Sequence, residues 1–239
     1  MLISIAQFAA AADNTQNLAV IARLVQKAAQ SGARMLLLPE YSMFYAVSGQ
    51  KARFSAAAEP LDGPFAAALS QLAQQHGVWL AAGLFERADA GLPYNTVVLF
   101  DDTGTLCAQY RKRRLFDKGV IRESDACRAG EQPFAPVETP AGKLGILTCY
   151  ELRFPEDARL QALDGAALLY VPAAWFDGPH KALQWRTLLA ARAIENRIPV
   201  FGVTQNTPGL FTGCSAAFSP TGETLGDLGR DGTLLTIKL

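Results

Sequence analysis

The segment Lys143–Glu156, KLGILTCYELRFPE, constrains the fold more than any other part of the chain. Leu144, Ile146 and Leu147 form a short apolar run suited to a buried strand, and the run ends at Cys149. Pro155 follows after a turn. Proline is best placed at the first helical position, where the backbone N–H has no intrahelical acceptor in any case. A strand that passes through a cysteine into a helix is a unit of an α/β sheet, and open α/β sheets put their chemistry at the C-terminal ends of their strands. The helix start also leaves N–H groups free to face an anion. A cysteine in such a run also makes a good small buried hydrophobe, so its meaning depends on what else the chain brings to the same place.

The rest of the chain repeats the same alternation. Leu2–Phe8 reads as a first strand. Asp13 or Asn14 can cap a helix whose Leu18, Ile21, Ala22, Val25 and Ala28 fall at helical spacing, with Gly32 as its stop. Ala33–Leu38 is a continuous apolar run, expected as a central parallel strand with Glu40 just past its end. Tyr41–Pro60 reads as a loop or irregular helical segment, Phe65–Gln75 as a helix closed by His76-Gly77, and Val78–Phe85 as a strand. Tyr94–Phe100 and Leu106–Tyr110 pair around a turn at Asp101–Gly104. Leu115–Pro133 has little periodicity, and a long loop inside a compact domain usually serves function. Phe134–Glu138 and Leu144–Cys149 are expected as a strand pair, Pro155–Leu163 as a helix and Ala166–Pro172 as a buried strand. Pro179–Asn196 contains a helix with Leu183, Leu188, Ala191 and Ile194 on one side. Ile198–Thr204, Gly213–Ser219 and Leu234–Leu239 complete the strands. The expectation is an α/β fold, a mixed sheet system with helices outside, in a single domain over residues 1–239.

Composition narrows the functional classes. With 239 residues, half of them hydrophobic, the chain can bury a substantial core without disulfide staples. Its formal net charge is zero, which argues against a nucleic-acid partner. It has no apolar run of membrane-spanning length, and its N-terminus lacks the basic region of a signal peptide. A cytoplasmic protein with free thiols is expected. Cys107, Cys127, Cys149 and Cys214 are widely spaced, and with two histidines a metal cluster is not expected. Cys107 and Cys214 read as inert core, and Cys127 as exposed in the charged loop.

Three polar residues follow apolar or strand-forming runs: Glu40 after MLLLP, Lys112 after CAQYR and Cys149 after KLGILT. Converging on one crevice, they would make a reactive set. A thiol needs a base to become the nucleophilic thiolate. His76 closes a helix. His180 precedes one, and it remains an alternative base. A carboxylate such as Glu40 serves instead where apolar surroundings make it basic enough. A lysine ammonium beside the sulfur would favour thiolate. With the backbone N–H of Tyr150 it would also hold an oxyanion. Lys112 alone, among Arg111, Arg113 and Arg114, reads equally as part of a solvated basic run. Arg153 is either a structural ion pair or a substrate-carboxylate contact, and Trp175 either lines a pocket or caps the core. Tyr41 is a further candidate substrate contact, and Arg192 and Glu195 read as helix ion pairs.

LLLPE, YRKRRLFD and GILTCYELRFPE, in this order, resemble the three signatures of the nitrilase (carbon–nitrogen hydrolase) superfamily. YNTVVLFDDTG, VPAAW, LLAARAIEN and GCSAAFSPTGE extend the resemblance over nearly the whole chain. It implies a four-layer α-β-β-α sandwich and a triad of Glu40 as general base and acid, Lys112 as oxyanion stabiliser and Cys149 as nucleophile. It also implies a second glutamate between lysine and cysteine, for which Glu123 in IRES is favoured over Glu131. The implied chemistry is hydrolysis of small, carboxylate-bearing amides through a thioester, with no cofactor and no metal. Nitrile or N-carbamoyl amino acid hydrolysis uses the same triad. A regulatory or scaffold protein without activity is the reading from another class. Members usually form homodimers or larger homo-oligomers, and many extend further past the last strand than Leu239. Where members commonly carry aspartate after CY, this chain has Glu151.

Overall fold

The computed structural model describes residues 1–46 and 51–239. Its backbone runs β1 (Leu2–Ala6), α1 (Asn14–Gln30), β2 (Met35–Leu37), α2 (Lys51–Ala57), α3 (Pro64–His76), β3 (Trp79–Glu86), β4 (Tyr94–Phe100) and β5 (Leu106–Arg111). A small hairpin, β6 (Asp117–Lys118) and β7 (Ile121–Arg122), interrupts the long loop that follows. Then come β8 (Leu144–Ile146), α4 (Pro155–Leu163), β9 (Leu168–Ala173), α5 (Lys181–Asn196), β10 (Val200–Thr204), β11 (Ala216–Phe218), β12 (Thr224–Asp227) and β13 (Leu234–Lys238).

The strands form two sheets, ordered β13-β1-β2-β3-β4-β5 and β12-β11-β10-β9-β8. In the first, β1, β2 and β3 are parallel and the flanking pairings antiparallel. In the second, β8, β9 and β10 are parallel, and β11 and β12 return antiparallel. Strand alternation decides what each face meets. Ile3, Ile5, Met35, Leu37, Ala81, Val97 and Leu99 from one sheet share a core with Leu144, Ile146, Leu168, Tyr170, Phe201 and Val203 from the other. The intervening residues point outward. Leu36, Leu80, Ala82 and Val98 pack on α1 and α3, while Leu169, Val171, Val200 and Ala216 pack on α4 and α5. Two sheets packed face to face, each with helices on its outer side, make the four-layer α-β-β-α sandwich.

Local chemistry explains the element ends. The Asp13 carboxylate accepts from the N–H groups of Thr15 and Gln16 and caps α1. Gly77, in the left-handed region, closes α3, and Pro155 opens α4. Among the described residues, no helix is long and apolar enough to cross a membrane.

Three expectations change. Phe134–Glu138 is not a strand. It touches β8 only through a bridge from Val137 to Leu144, and β8 ends at Ile146 because the chain turns early toward Cys149. α5 buries Trp185, Leu189, Arg192 and Ala193, whereas Leu183 (63% exposed) and Ile194 (53% exposed) face outward. A large aromatic outweighed the leucine periodicity in choosing the inner face. The irregular helical segment expected within Tyr41–Pro60 is present as α2, and residues 47–50 lie outside the described residues. β12 has no apolar alternation to announce it, because it is a short edge strand with mostly exposed residues.

Candidate active site

β2 and β5 run in the same direction through β3 and β4, so their C-terminal ends lie at one edge of the sheet. Past β2, Leu38 N–H still donates to Ala81 O, and Pro39 O accepts from Gly83 N–H. Gly83 is needed there: a Cβ would come within 2.8 Å of Tyr41 N and 2.9 Å of Glu40 Cα. The Tyr170 hydroxyl on β9 donates to Leu38 O across the two sheets. Past β5, Lys112 N–H donates to Asn95 O and carries the ladder one residue further. These bonds turn Glu40 and Lys112, each 1% exposed, into the same interior space.

Lys112 Nζ lies 2.9 Å from Glu40 Oε1 and 2.8 Å from Glu123 Oε2. Glu123 comes from the turn after β7. It accepts from the Tyr41 hydroxyl, from Asn95 Nδ2, from Lys112 and from the Phe116 N–H. Glu40 accepts from Asn95 Nδ2 and Lys112 at Oε1, and from the Ala174 N–H at Oε2. Burial opposes the Lys112 charge, but Glu123 and Glu40 beside it hold the ammonium well above the usual lysine range. Burial likewise opposes the Glu123 charge, and Lys112, Asn95 and Phe116 keep its carboxyl below the usual range.

Cys149 starts a tight helical turn, Cys149–Arg153, directly after β8. Its φ of 52° is left-handed, a conformation that costs a residue with a Cβ about 1–3 kcal/mol and persists only where the surroundings impose it. Those surroundings are visible. Glu151 accepts from Thr148 N–H, Tyr110 Oη–H, Arg113 N–H and Arg114 N–H. It thereby ties the cysteine turn to the segment after Lys112. Burial nevertheless raises the Glu151 carboxyl above the usual range. Arg192 of α5 donates to Leu152 O at 3.1 Å. The Cys149 thiol is pushed well up, first by burial and then by Glu40, and Lys112 and the Ala174 N–H only partly offset this. Burial and Glu40 thus favour the thiol over the thiolate, against the pull of the lysine, which acts in the expected direction.

Glu40, Lys112, Glu123 and Cys149 share one cavity of about 430 Å³ with Tyr41, Tyr150, Arg153 and Trp175. The sequence thus named four polar residues that the fold brings together, and three side chains that line the same walls. Trp175 faces the cavity and packs against Trp185 beneath it. Arg153 stands 4.9 Å over the Trp175 ring and donates to Gln184 Oε1 rather than to a carboxylate. Glu131 is exposed and lines a different groove, beside Tyr94 and Phe134. His180 is an exposed residue ahead of α5 and does not line the cavity.

Cys127 was expected exposed. It is 2% exposed and lines the cavity, because the turn at Glu123 folds the loop inward. Cys107 was expected in the core and is half-buried on β5, an edge strand. All four cysteines are free. Asn95 and Gln205 were not singled out from the sequence. Gln205 donates to Glu40 O and Tyr41 O and accepts from Ala10 N–H. The available signal was a polar residue next to or inside an apolar strand, Asn95 in YNTVVLF and Gln205 after VFGVT. Such a residue must find partners when buried.

Comparison with known proteins agrees with this geometry. The carbon–nitrogen hydrolase family model matches residues 2–239. The deaminated glutathione amidase of Mus musculus is 36% identical over 214 residues, 85% of this chain and 65% of that protein. The chain thus spans just under two thirds of that relative's length. The omega-amidase NIT2 of Xenopus tropicalis is 34% identical over 246 residues, 99% of this chain and 87% of that protein. A crystallised variant of the amidase from Nesterenkonia sp. AN1, showing Michael addition of acrylamide at its active site cysteine, superposes with a TM-score of 0.86 at 30% identity. That match covers 100% of this chain and 93% of the other. With its layered fold, its three strand-end signatures and a family match from end to end, the chain belongs to the carbon–nitrogen hydrolase family.

Proposed function

We propose that this chain hydrolyses the C–N bond of small linear amides, with Cys149 as nucleophile and a thioester as intermediate. The observation that carries the reading is the inequality of the two glutamates. Glu123 has both oxygens engaged, by Tyr41, Asn95, Lys112 and Phe116. Among the described residues, Glu40 Oε2 accepts only the Ala174 N–H. Glu40 therefore keeps acceptor capacity for a proton, and Glu123 does not.

In the first step the Cys149 sulfur bonds to the amide carbon as Glu40 takes the thiol proton. Burial favours the neutral thiol, so this transfer accompanies attack and the net charge of the site stays unchanged. Lys112 Nζ and the Tyr150 N–H hold the oxyanion; the latter is a first-turn amide that has no acceptor within its turn. The intermediate collapses, the C–N bond breaks, and Glu40 protonates the nitrogen, which leaves as ammonia. Water then attacks the thioester while Glu40 takes its proton. The C–S bond breaks, and the proton returns to sulfur. Glu123 holds Lys112 in place throughout.

Arg153, at the cavity wall and without a carboxylate partner among the described residues, suits an acyl portion that itself ends in a carboxylate. Relatives named omega-amidase and deaminated glutathione amidase support the same reading. The test is ammonia release from the monoamide of a small dicarboxylic acid. Wild type is expected to release ammonia with one equivalent of acid, and Cys149→Ala to reduce kcat by at least roughly a thousandfold, as expected for loss of an activated nucleophile. Turnover surviving in Cys149→Ala would end this reading. The His180 alternative predicts that His180→Ala is inactive; the arrangement argued here predicts that it retains most activity.

A further inference from the structure

Three cations of the cavity wall besides Lys112 differ in how they are neutralised. Lys112 has two glutamates, and Arg122 pairs with Asp125. Arg153 and Lys181, by contrast, have no acidic partner among the described residues. Both address the same ring: Arg153 Cζ lies 4.9 Å and Lys181 Nζ 6.0 Å from the Trp175 centroid. The ring itself is fixed, because Trp175 Nε1–H donates to Lys181 O at 3.1 Å, and the Arg153 guanidinium is held by Gln184. Two cations anchored on one indole, without a counter-ion, leave a site whose missing component is an anion. We propose that Lys181, in the first turn of α5, is a second anion-contacting residue of this cavity, and that with Arg153 it selects amides whose acyl portion carries a carboxylate over neutral amides of the same length.

This deepens the reading of the cavity as that of an acid-amide hydrolase and rests on it. The titratable groups facing Lys181 agree with the placement. Partial burial pushes its ammonium down, and the charges of Arg153 and Lys118 push it further the same way. A carboxylate bound between Arg153 and Lys181 removes that repulsion. The rim hairpin lines the cavity with Val120, Ile121 and Arg122 and adds no acid among the described residues, and the cavity's acids, Glu40 and Glu123, are already paired with Lys112. The reacting end and the anion end of the cavity are therefore chemically distinct.

The experiment compares wild type, Lys181→Met and Lys181→Arg on two amides of equal chain length, succinamate and butyramide. The expected result is a ratio of kcat/KM, succinamate over butyramide, that falls roughly ten- to a hundredfold in Lys181→Met, as for loss of one charged hydrogen bond. The fall is expected mainly in KM, with most of the ratio restored in Lys181→Arg. A ratio that stays put, because both substrates suffer alike or neither does, overturns the proposal. A second measurement does not depend on turnover: calorimetric titration of each protein with succinate. Wild type should bind it, Lys181→Met about tenfold or more weakly, and binding should weaken as pH rises through the lowered Lys181 value. Equal affinity in wild type and Lys181→Met, or no binding to wild type, overturns the proposal. Failure of the hydrolase reading looks different, with no ammonia released from either amide while succinate still binds in a Lys181-dependent way.

Discussion

Asn95 carries no charge, yet its single Nδ2 reaches both carboxylates, 2.7 Å from Glu40 Oε1 and 2.9 Å from Glu123 Oε1. Two buried carboxylates with one ammonium between them keep a net negative charge, and in a site of low dielectric each neutral donor to that charge counts for more than in water. Asn95→Ala is expected to lower kcat by roughly a hundredfold, the scale of losing one preorganised donor, with circular dichroism unchanged. A kcat within twofold of wild type would show Asn95 to be a spacer only. Cys149 supplies a second expectation at this scale. Its thiol is held well above the ordinary thiol range, by burial first. Below that raised value each pH unit increases the thiolate fraction tenfold. Alkylation of Cys149 by iodoacetamide, followed by mass spectrometry, should therefore keep accelerating from pH 7 past pH 9. A plateau below pH 8 would mean that the Lys112 attraction outweighs burial.

Elements position these residues through their ends, so the informative substitutions lie at backbone crossings and turns. At Gly83 of β3, added side-chain bulk meets the backbone of Pro39, Glu40 and Tyr41 rather than a side chain that can move away. Gly83→Ala should displace Glu40 and reduce kcat more than it reduces stability. Normal turnover in that variant would show that the strand crossing tolerates a shift. The cysteine turn depends on Glu151, whose carboxylate serves four donors from three segments. Glu151→Ala leaves those donors buried without an acceptor, which costs about 1–3 kcal/mol for each unsatisfied group. The expected outcome is a clear drop in Tm together with loss of the Lys112–Cys149 register. Glu151→Asp, the residue common in the family, should recover much of both. Arg192 belongs to the same support, since its guanidinium reaches Leu152 O from α5.

At the scale of the whole molecule, stability sits between the sheets and chemistry at their common end. Phe201, fully buried in the inter-sheet core, is expected to cost about 3–5 kcal/mol when truncated to alanine. Val120, 99% exposed at the tip of the β6–β7 hairpin, should tolerate serine within about 0.5 kcal/mol. Denaturant unfolding of the two variants measures both, and similar losses would contradict the layered core. The same architecture explains why the groups of the candidate site come from both sheets. β2, β5 and β8 end beside Glu40, Lys112 and Cys149, and the end of β9 supplies the Ala174 N–H that Glu40 accepts.

The buried strands, the helix at Pro155 and the three strand-end residues were legible in the chain, because each is a local matter. Apolar runs make buried strands, a proline opens a helix, and a polar residue after an apolar run marks an end. Glu123 was legible only through family resemblance, since nothing local separates it from Glu131. The inner face of α5, the burial of Cys127, the donors Asn95 and Gln205 and the unpaired Lys181 were decided by tertiary structure alone. Each depends on which segments become neighbours, as when Asn95 meets Glu123 28 positions on and Gln205 meets Ala10 195 positions back. The protonation of Cys149 belongs there too. The sequence places a lysine within reach, but only the closed fold determines how much water is lost around the sulfur, and that loss outweighs the lysine.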